Sequence, residues 1–374
     1  MTSSATFARI TDELIEELRA DIGKPIEGPP GFVSEATRDS IRHFALGVGD
    51  YNPLWIDEEH ARRSTHGTLL APPSMLFAFN RTAWGARGLR GIHSMFSGGR
   101  FEWHQPIRLG DTVSSSVTLK DLEIKERSEF AGRTIKQIRE AEFRNQDGEL
   151  IAVCHPYSFR MERDAARERG KYDHLTLASY SPEEYDAICA QYEQEVPRGA
   201  VTRYWEDVAV GEELPQLVRG PLTVTDIIVF LAGEGGQWLR AHGDAAGWYR
   251  RHPRGGIRNS VGALEPPEIV HWDHEFARRV GVPAAYDYGP QRVAWLTTLM
   301  TNWAGDDGHL QSLDVAVRRF NLVGDTTWCR GRVGATSVRD GRHLVECEIW
   351  AEDQRGERTA TGTAVVALPS RSAS

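Results

Sequence analysis

The chain of 374 residues contains the same ordered set of segments twice, and this internal repeat most constrains its fold. "PIRLGDTVSSSVTLKDLEI" (106–124) and "NLVGDTTWCRGRVGATSV" (321–338) each have an apolar step, then Gly-Asp-Thr, then alternating strand-like residues. Each is followed by two more strand-like runs joined by a hairpin sequence, "NQDGE" or "DQRGE". A repeat of this length predicts two similar domains, each ending in an antiparallel meander.

The segments in front of each meander also match. "VSEATRDSIRHFALGVGD" (33–50) and "PLTVTDIIVFLAGEGG" (221–236) each place Ser or Thr before an amphipathic helix. "LAPPSMLFAFNRTAW" (70–84) and "YGPQRVAWLTTLMTNWAG" (288–305) each have a proline followed by a long apolar helix. The prediction is an α+β fold in which each half wraps a bent antiparallel sheet around a long buried helix.

The domain boundaries follow from the same comparison. The halves are predicted at 1–165 and 200–369, separated by a charged linker at 166–199. A helix is predicted in the linker from Ser181-Pro182-Glu183-Glu184, which combines an N-cap with acidic residues in the first turn. The second half carries an insertion near 237–268, typical of a long functional loop.

The stretch "FALGVGDYNPLWIDEEHA" (44–61) resembles a hydratase signature, G-D-x-N-P-L-H, with Trp55 in place of the histidine. With the ordered matches in both halves, the chain resembles the MaoC-like hydratase/dehydratase family, and its first half resembles the FAS1-like dehydratase variant. The resemblance implies a double hot-dog fold. It also implies acyl-thioester substrates, usually CoA esters, and reversible addition of water to a 2-enoyl group without a cofactor or metal.

In the family motif, Asp and His five residues apart hold one water and act as general base and acid. Backbone N–H groups at the N-terminus of the buried helix form the oxyanion hole. When the halves are aligned, Asp50 matches Gly236 and Trp55 matches His271. The first half therefore keeps the aspartate without the histidine, and the second half keeps the histidine without the aspartate.

His271 is the predicted catalytic histidine of the second half. Its carboxylate partner must come from elsewhere, and Glu268, three residues earlier, is the nearest candidate. Glu265, Glu234 and Asp244 are the alternatives.

Asp50 is the candidate catalytic carboxylate of the first half. Alternatively, it braces the loop together with Asn52, since Asp and Asn bond nearby backbone amides. His66 is either catalytic or a residue that leads into the first central helix. The predicted substrate-binding residues are Asn52, Trp55, Gly67, Tyr288 and Gly289.

Trp55 is expected to line or fill an acyl tunnel. Alternatively, it is an ordinary core residue. Asp287 and Tyr288 precede Gly289, where the family usually has His-Gly. Tyr288 either donates a hydrogen bond to the thioester carbonyl or is a core tyrosine.

Composition excludes some classes of function. The net charge of −9, from 53 acids and 44 bases, argues against a nucleic-acid partner. Neither a secretory signal nor a membrane span is predicted, and four scattered cysteines suggest buried thiols in a cytoplasmic protein. The basic, Gly-rich run at 240–260 either clamps CoA phosphates or is a solvated loop.

Three functions are consistent with these observations. The first is an enoyl-CoA hydratase or 3-hydroxyacyl-thioester dehydratase with one working site. The second is a non-catalytic acyl-CoA-binding subunit that pairs with a second hot-dog subunit. The third is a thioesterase, which the G-D-x-N-P loop disfavours. The expected ligand is an acyl-CoA substrate. The expected assembly is either a homodimer of double hot-dogs or a complex with a second hot-dog subunit.

Overall fold

The computed structural model describes residues 9–28, 31–84, 88–89, 92–126, 132–162, 175–236, 239–253 and 255–372. The helices of the first half are α1 (Asp12–Arg19), α2 (Arg38–Val48), α3 (Pro53–Ile56), α4 (Glu58–Arg63), α5 (Leu76–Phe79) and α6 (Arg81–Trp84). The helices that follow are α7 (Pro182–Tyr192), α8 (Val224–Glu234), α9 (His242–Arg251), α10 (His274–Arg279) and α11 (Gly289–Ala304). Short 3-10 turns occur at Pro73–Met75, Trp205–Asp207 and Pro267–His271.

The strands of the first half are β1 (His93–Trp103), β2 (Ser114–Lys125), β3 (Thr134–Arg144) and β4 (Leu150–Met161). The strands that follow are β5 (Leu217–Arg219), β6 (Ile257–Arg258), β7 (Leu264–Glu265), β8 (His309–Val317), β9 (Thr327–Arg339), β10 (Arg342–Asp353) and β11 (Arg358–Leu368). Strands β6 and β7 form a small hairpin inside the insertion.

The other nine strands form one antiparallel sheet in the order β2-β3-β4-β1-β8-β11-β10-β9-β5. The two halves meet where β1 pairs with β8, from Gly98 opposite Ala316 to Glu102 opposite Ser312. Counting outward from this seam, β1-β4-β3-β2 and β8-β11-β10-β9 have the same order. The predicted pair of meanders is therefore confirmed, and the chain has the architecture of a double hot-dog.

The Gly-Asp-Thr turns of the two halves have the same hydrogen bond. The Asp111 carboxylate accepts from the Arg108 backbone N–H at 2.7 Å, and the Asp325 carboxylate accepts from the Leu322 N–H at 2.9 Å. In each case the side chain bonds the amide three residues earlier, as short polar side chains do in turns. The sequence repeat thus corresponds to a repeat of local structure.

Helices α2 and α8 cross at two glycines that occupy equivalent positions in the two halves. A Cβ atom on Gly47 would lie 2.9 Å from the Val229 carbonyl oxygen, and one on Gly233 would lie 2.6 Å from the His43 carbonyl oxygen. Because residues 47 and 233 correspond, as do 43 and 229, the contact has twofold pseudo-symmetry. The close approach of the two backbones requires glycine at both positions.

The central helices differ in length, which corrects the prediction for the first half. Helix α11 has 16 residues and is largely buried, whereas the expected long first-half helix is only the Pro73–Met75 turn and the four-residue α5. Asn80 is extended, with φ −143° and ψ 109°. Its side-chain oxygen accepts from the backbone N–H groups of Thr82 and Ala83, so Asn80 ends α5 and caps the next turn.

The linker helix α7 begins at Pro182, as predicted, with a capping box between Ser181 and Glu184. The boundaries 1–165, 166–199 and 200–369 stay a prediction, and residues 163–174 of the linker lie outside the described residues. Among the described residues, the helices are all too short or too polar to cross a bilayer.

Candidate active site

A cleft lies at each end of the seam between β1 and β8, where the two strands part. The His271 cleft has a volume of about 560 Å³ and lies at the N-terminus of α11. It is lined by His271, by residues 286–290 and by the start of β1 at residues 94–97. The Trp55 cleft has a volume of about 90 Å³ and is lined by Asn52, Trp55, Trp103 and residues 305–310.

His271 ends the 3-10 turn at Pro267–His271, and its ring is held on three sides. Its Nδ1 donates to the Tyr286 carbonyl oxygen at 2.9 Å. The ring stacks on Tyr288, with centroids 3.7 Å apart, and meets the edge of Tyr286. Because Nδ1 carries the hydrogen that this bond requires, Nε2 keeps its lone pair.

Burial lowers the pKa of His271 to about 4, and contacts with the backbone of Tyr286 and Asp287 only partly offset that effect. A free imidazole has a pKa near 6.5, so His271 is neutral at pH 7. A neutral ring with a fixed tautomer is able to accept a proton at Nε2. The residue predicted as catalytic therefore has the protonation state that a general base requires.

Tyr288 and Gly289 form the N-terminus of α11 beside His271. The Tyr288 side chain is 5% exposed, and its hydroxyl has no hydrogen-bond partner among the described residues. Burial raises the pKa of Tyr288 well above its usual value, and the charges of Glu268 and Glu234 raise it further. The hydroxyl is therefore a neutral donor, next to the positive end of the helix dipole.

An ion pair that the sequence analysis missed anchors the loop below Tyr288. Arg292 Nε lies 2.7 Å from Asp287 Oδ2, and both side chains are almost fully buried. Burial raises the pKa of Asp287 to about 6, against the charge of Arg292, which lowers it. Arg292 also donates to the Thr359 carbonyl oxygen on β11 at 3.1 Å. The pair thus fixes the loop that carries Tyr288 and Gly289 to the sheet.

The candidate carboxylates of the second half lie at different distances from this site. Glu268 is half-buried on the same turn as His271, and Glu234 is 2% exposed at the end of α8. Both act on the Tyr288 hydroxyl through their charge, although neither lines the His271 cleft. Glu265 bonds Asn259 within the small hairpin, and Asp244 on α9 pairs with Arg240, which precedes that helix.

Asp50 is buried between the two halves. Its Oδ1 accepts from the Asn52 N–H at 3.1 Å, and its Oδ2 accepts from the Thr298 hydroxyl on α11 at 2.9 Å. Burial raises the pKa of Asp50, partly offset by these two bonds and by the nearby Trp55 indole. That indole N–H has no hydrogen-bond partner of good geometry among the described residues.

Asn52 accepts from the Leu54 N–H at 3.0 Å and caps α3. The Asp50 and Asn52 side chains thus both brace the loop, and Asp50 also ties it to α11.

The Trp55 cleft is closed by side chains from both halves. Trp55 is 4% exposed. His309 Nε2 donates across the parted strands to the Trp103 carbonyl oxygen at 3.2 Å, and His66 Nε2 bonds the Asp306 carbonyl oxygen at 3.0 Å. Gly67 has a left-handed φ of +70° in the preceding loop and does not line this cleft.

Besides Arg292, which is paired with Asp287, three cations border the His271 cleft, and none belongs to the predicted basic run. They are Lys136, Arg318 and Arg319. Lys136 and Arg319 each have a carboxylate partner, whereas Arg318 is exposed and forms no ion pair within the part of the chain that the structure describes. The described residues of 240–260 form α9 and part of the small hairpin, away from the cleft lining.

The described side chains contain no group of three or more His, Cys, Asp or Glu residues arranged to hold a metal ion. The cysteines are free thiols, with Cys154, Cys329 and Cys347 buried and Cys189 partly buried.

Comparison with known proteins identifies the family. The model of the "FAS1-like, dehydratase domain region" matches residues 20–154, in the first half. A UPF0336 protein of Streptomyces griseus is 30% identical over 132 residues, which cover 34% of this chain and 84% of that protein. A solved MaoC-like dehydratase has a TM-score of 0.66 at 19% identity, covering 94% of this chain and 99% of that one. The chain belongs to the MaoC-like hydratase/dehydratase family.

Further comparisons place this MaoC-like chain among double hot-dogs. A Mycobacterium tuberculosis protein described as having a double hot-dog fold has a TM-score of 0.57 at 10% identity, covering 93% of this chain and 96% of that one. A Thermomonospora curvata protein named "Probable enoyl-CoA hydratase alpha subunit" is 26% identical over 157 residues, which cover 37% of this chain and 49% of that protein. The structural likeness spans both halves, and the family model matches the half that carries Trp55.

Proposed function

We propose that this MaoC-like chain is a hydro-lyase that reversibly adds water to a 2-enoyl-CoA to give a 3-hydroxyacyl-CoA. One observation carries the proposal: a neutral His271 with a fixed tautomer stacks on Tyr288 at the N-terminus of α11, in an open cleft. This arrangement places a proton acceptor beside backbone and side-chain donors. Hydration requires both.

In the proposed reaction, the thioester carbonyl oxygen accepts hydrogen bonds from the Gly289 N–H and the Tyr288 hydroxyl. A water oxygen bonds to C3 of the enoyl group while His271 Nε2 takes one of its protons. The charge that develops on the carbonyl oxygen is stabilised by the two donors and by the helix dipole. C2 then takes a proton from the imidazolium, which returns His271 to its neutral state and completes the addition of water.

The carboxylate that shares the water with His271 is proposed to be Glu268. It lies on the same turn as His271, and its charge acts on the Tyr288 hydroxyl. In the productive complex, a Glu268 oxygen and His271 Nε2 both reach one water at about 2.6–3.2 Å. Glu234 acts on the same hydroxyl and is the alternative carboxylate.

A second function has specific support: a non-catalytic acyl-thioester-binding subunit. Neither cleft has an Asp/His pair at the family spacing, because Trp55 and Gly236 occupy the corresponding positions. The similar Thermomonospora curvata protein is itself named an alpha subunit. In this case a second hot-dog subunit supplies the complete pair, whereas a working His271 cleft allows the chain to act alone or as a homodimer.

Assay of the purified single chain on a series of 2-enoyl-CoAs tests the proposal. Loss of the conjugated-thioester absorbance, with 3-hydroxyacyl-CoA identified by mass spectrometry, is the expected result. Binding of the acyl-CoA without turnover supports the non-catalytic subunit. Release of free CoA, measured with a thiol reagent, indicates a thioesterase and contradicts both.

A further inference from the structure

The inner wall of the His271 cleft is the side chain of Phe96, on β1. Phe96 lines the cleft together with Tyr288 and Gly289. A Cβ atom on Gly289 would lie 2.6 Å from Phe96 Cδ1, so the ring is packed against the N-terminus of α11. Atoms in van der Waals contact leave no room for a hydrocarbon chain to pass between them. The cleft therefore ends at Phe96.

Behind Phe96, aromatic rings fill the interior of the first half. Phe77 lies 6.3 Å from Phe96 and 5.8 Å from Phe101, measured between ring centroids. Phe101 stacks on Trp103 at 6.0 Å, and Trp103 lines the Trp55 cleft at the other end of the seam. Phe77 and Phe101 are each 1% exposed. The space that joins the two clefts is thus occupied by packed rings.

Part of the cleft border is cationic and exposed to solvent. Lys136, Arg318 and Arg319 lie at that border, where Arg318 is exposed and forms no ion pair among the described residues. Phosphate groups bind favourably to such cations. A thioester whose carbonyl binds at Gly289, and whose phosphates lie near these cations, directs its acyl group towards Phe96.

From this geometry we infer that the His271 cleft takes 2-enoyl thioesters with short acyl groups, and that Phe96 sets the length limit. The inference rests on the proposed function for the position of the carbonyl. It adds a limit on the length of the acyl group. A long chain cannot enter the first half, because aromatic side chains already fill its interior.

The test compares wild type with Phe96→Ala and Phe96→Leu on a series from 2-butenoyl-CoA to 2-dodecenoyl-CoA. Wild type is expected to hydrate 2-butenoyl-CoA and 2-hexenoyl-CoA best. Removal of the ring is expected to raise kcat/KM for 2-decenoyl-CoA relative to 2-butenoyl-CoA roughly tenfold, the effect of burying about two further methylene groups. Phe96→Leu gives a smaller shift in the same direction and covers the case in which the alanine variant does not fold.

Phe101→Leu is the matched control, because Phe101 belongs to the same aromatic stack and does not line the His271 cleft. It is expected to lower the melting temperature without changing the chain-length preference. A change in preference equal to that of Phe96→Leu would mean that general loosening of the core, not Phe96, sets the limit, and would overturn the inference.

A binding measurement separates the inference from the proposed function. Saturated acyl-CoAs from butyryl to dodecanoyl do not react, and their dissociation constants are measured by calorimetry. Tighter binding of short chains by wild type and of longer chains by Phe96→Ala supports the inference, whether or not hydration is seen. Absence of hydration contradicts only the proposed function. Equal or tighter binding of dodecanoyl-CoA by wild type, or no acyl-CoA binding, overturns the inference.

Discussion

The two clefts at the ends of the β1–β8 seam occupy equivalent places in the repeat, but they differ in volume and in the side chains that line them. The Trp55 cleft, of about 90 Å³, contains an indole and is crossed by a His309–Trp103 hydrogen bond. The His271 cleft, of about 560 Å³, is open and has an imidazole at the corresponding sequence position. The comparison shows that the cleft at Trp55 is small and occupied by side chains, while the cleft at His271 is larger and open.

Replacement of the histidine in each cleft by alanine gives the largest expected difference between the two clefts. His271→Ala is predicted to lower kcat for hydration by about 10²–10⁴-fold, the usual contribution of a general acid or base. His66→Ala, in the Trp55 cleft, is the matched control and is expected to lower mainly thermal stability, because the His66 ring bonds the Asp306 carbonyl oxygen. Steady-state kinetics on 2-butenoyl-CoA measures both. Loss of activity in His66→Ala with retention in His271→Ala would exchange the roles of the clefts.

The carboxylates provide the second comparison. Glu268→Gln is predicted to lower kcat about 10²-fold with little change in acyl-CoA binding, because a neutral amide is a weaker hydrogen-bond acceptor than a carboxylate for the water that His271 deprotonates. Asp50→Asn keeps the fold, since the amide can donate to the Thr298 hydroxyl, which can then turn its own hydrogen to the Ala294 carbonyl oxygen. Kinetics and thermal melts of both variants are compared. An inactive Asp50→Asn beside an active Glu268→Gln would move the working site to the first half.

Removal of the Tyr288 hydroxyl gives a smaller effect. Tyr288→Phe keeps the ring stacked on His271 and is predicted to lower kcat about tenfold, because one hydrogen bond to the charged oxyanion is worth roughly 1.5 kcal/mol. Tyr286→Phe is the control, because its carbonyl oxygen, not its side chain, accepts the His271 bond. Equal rates for wild type and Tyr288→Phe would assign Tyr288 a packing role only.

The pH dependence distinguishes the buried imidazole from an exposed one. Since burial lowers the pKa of His271 to about 4, the imidazole stays neutral as the pH falls through the range where a free histidine becomes charged. The acid limb of kcat/KM is therefore expected near that lower value and not near pH 6.5. Circular dichroism over the same pH range separates titration from unfolding. An acid limb centred near pH 6.5 would assign the catalytic proton to a more exposed histidine.

Restoration of the family histidine in the first half is expected to have the smallest effect. Trp55→His is predicted to change the hydration rate by no more than about twofold, because the His309–Trp103 bridge still closes the cleft. The variant is assayed alone and combined with His271→Ala. Recovery of activity in the double variant would show that the first half lacks only its histidine.

Features that depend on short stretches of sequence were predicted correctly, because they need few distant contacts. The hairpins that join β3 to β4 and β10 to β11 belong to this group, as does the cap of α7. The prediction of a long helix in the first half was wrong, because Asn80, within an apolar run, caps the following turn instead of continuing α5. A capping side chain competes with helix propagation, and apolar periodicity does not register that competition.

The candidate site was predictable only where a residue keeps its position in the repeat. His271, Tyr288 and Gly289 were found in this way, and the structure places all three in one cleft. The Asp287–Arg292 pair and the Phe96 wall were missed. Their importance depends on burial and on contacts between residues far apart in sequence, which the alignment of two halves does not reveal.

The seam between β1 and β8 has a consequence for dividing the chain. Each half contributes one of the two strands, so each half expressed alone presents a strand edge with unpaired backbone N–H and C=O groups. Such edges template pairing with other chains and promote aggregation. Separately produced halves are therefore expected to self-associate or to recombine with each other through this seam, and co-expression is the suitable route to a split version of the protein.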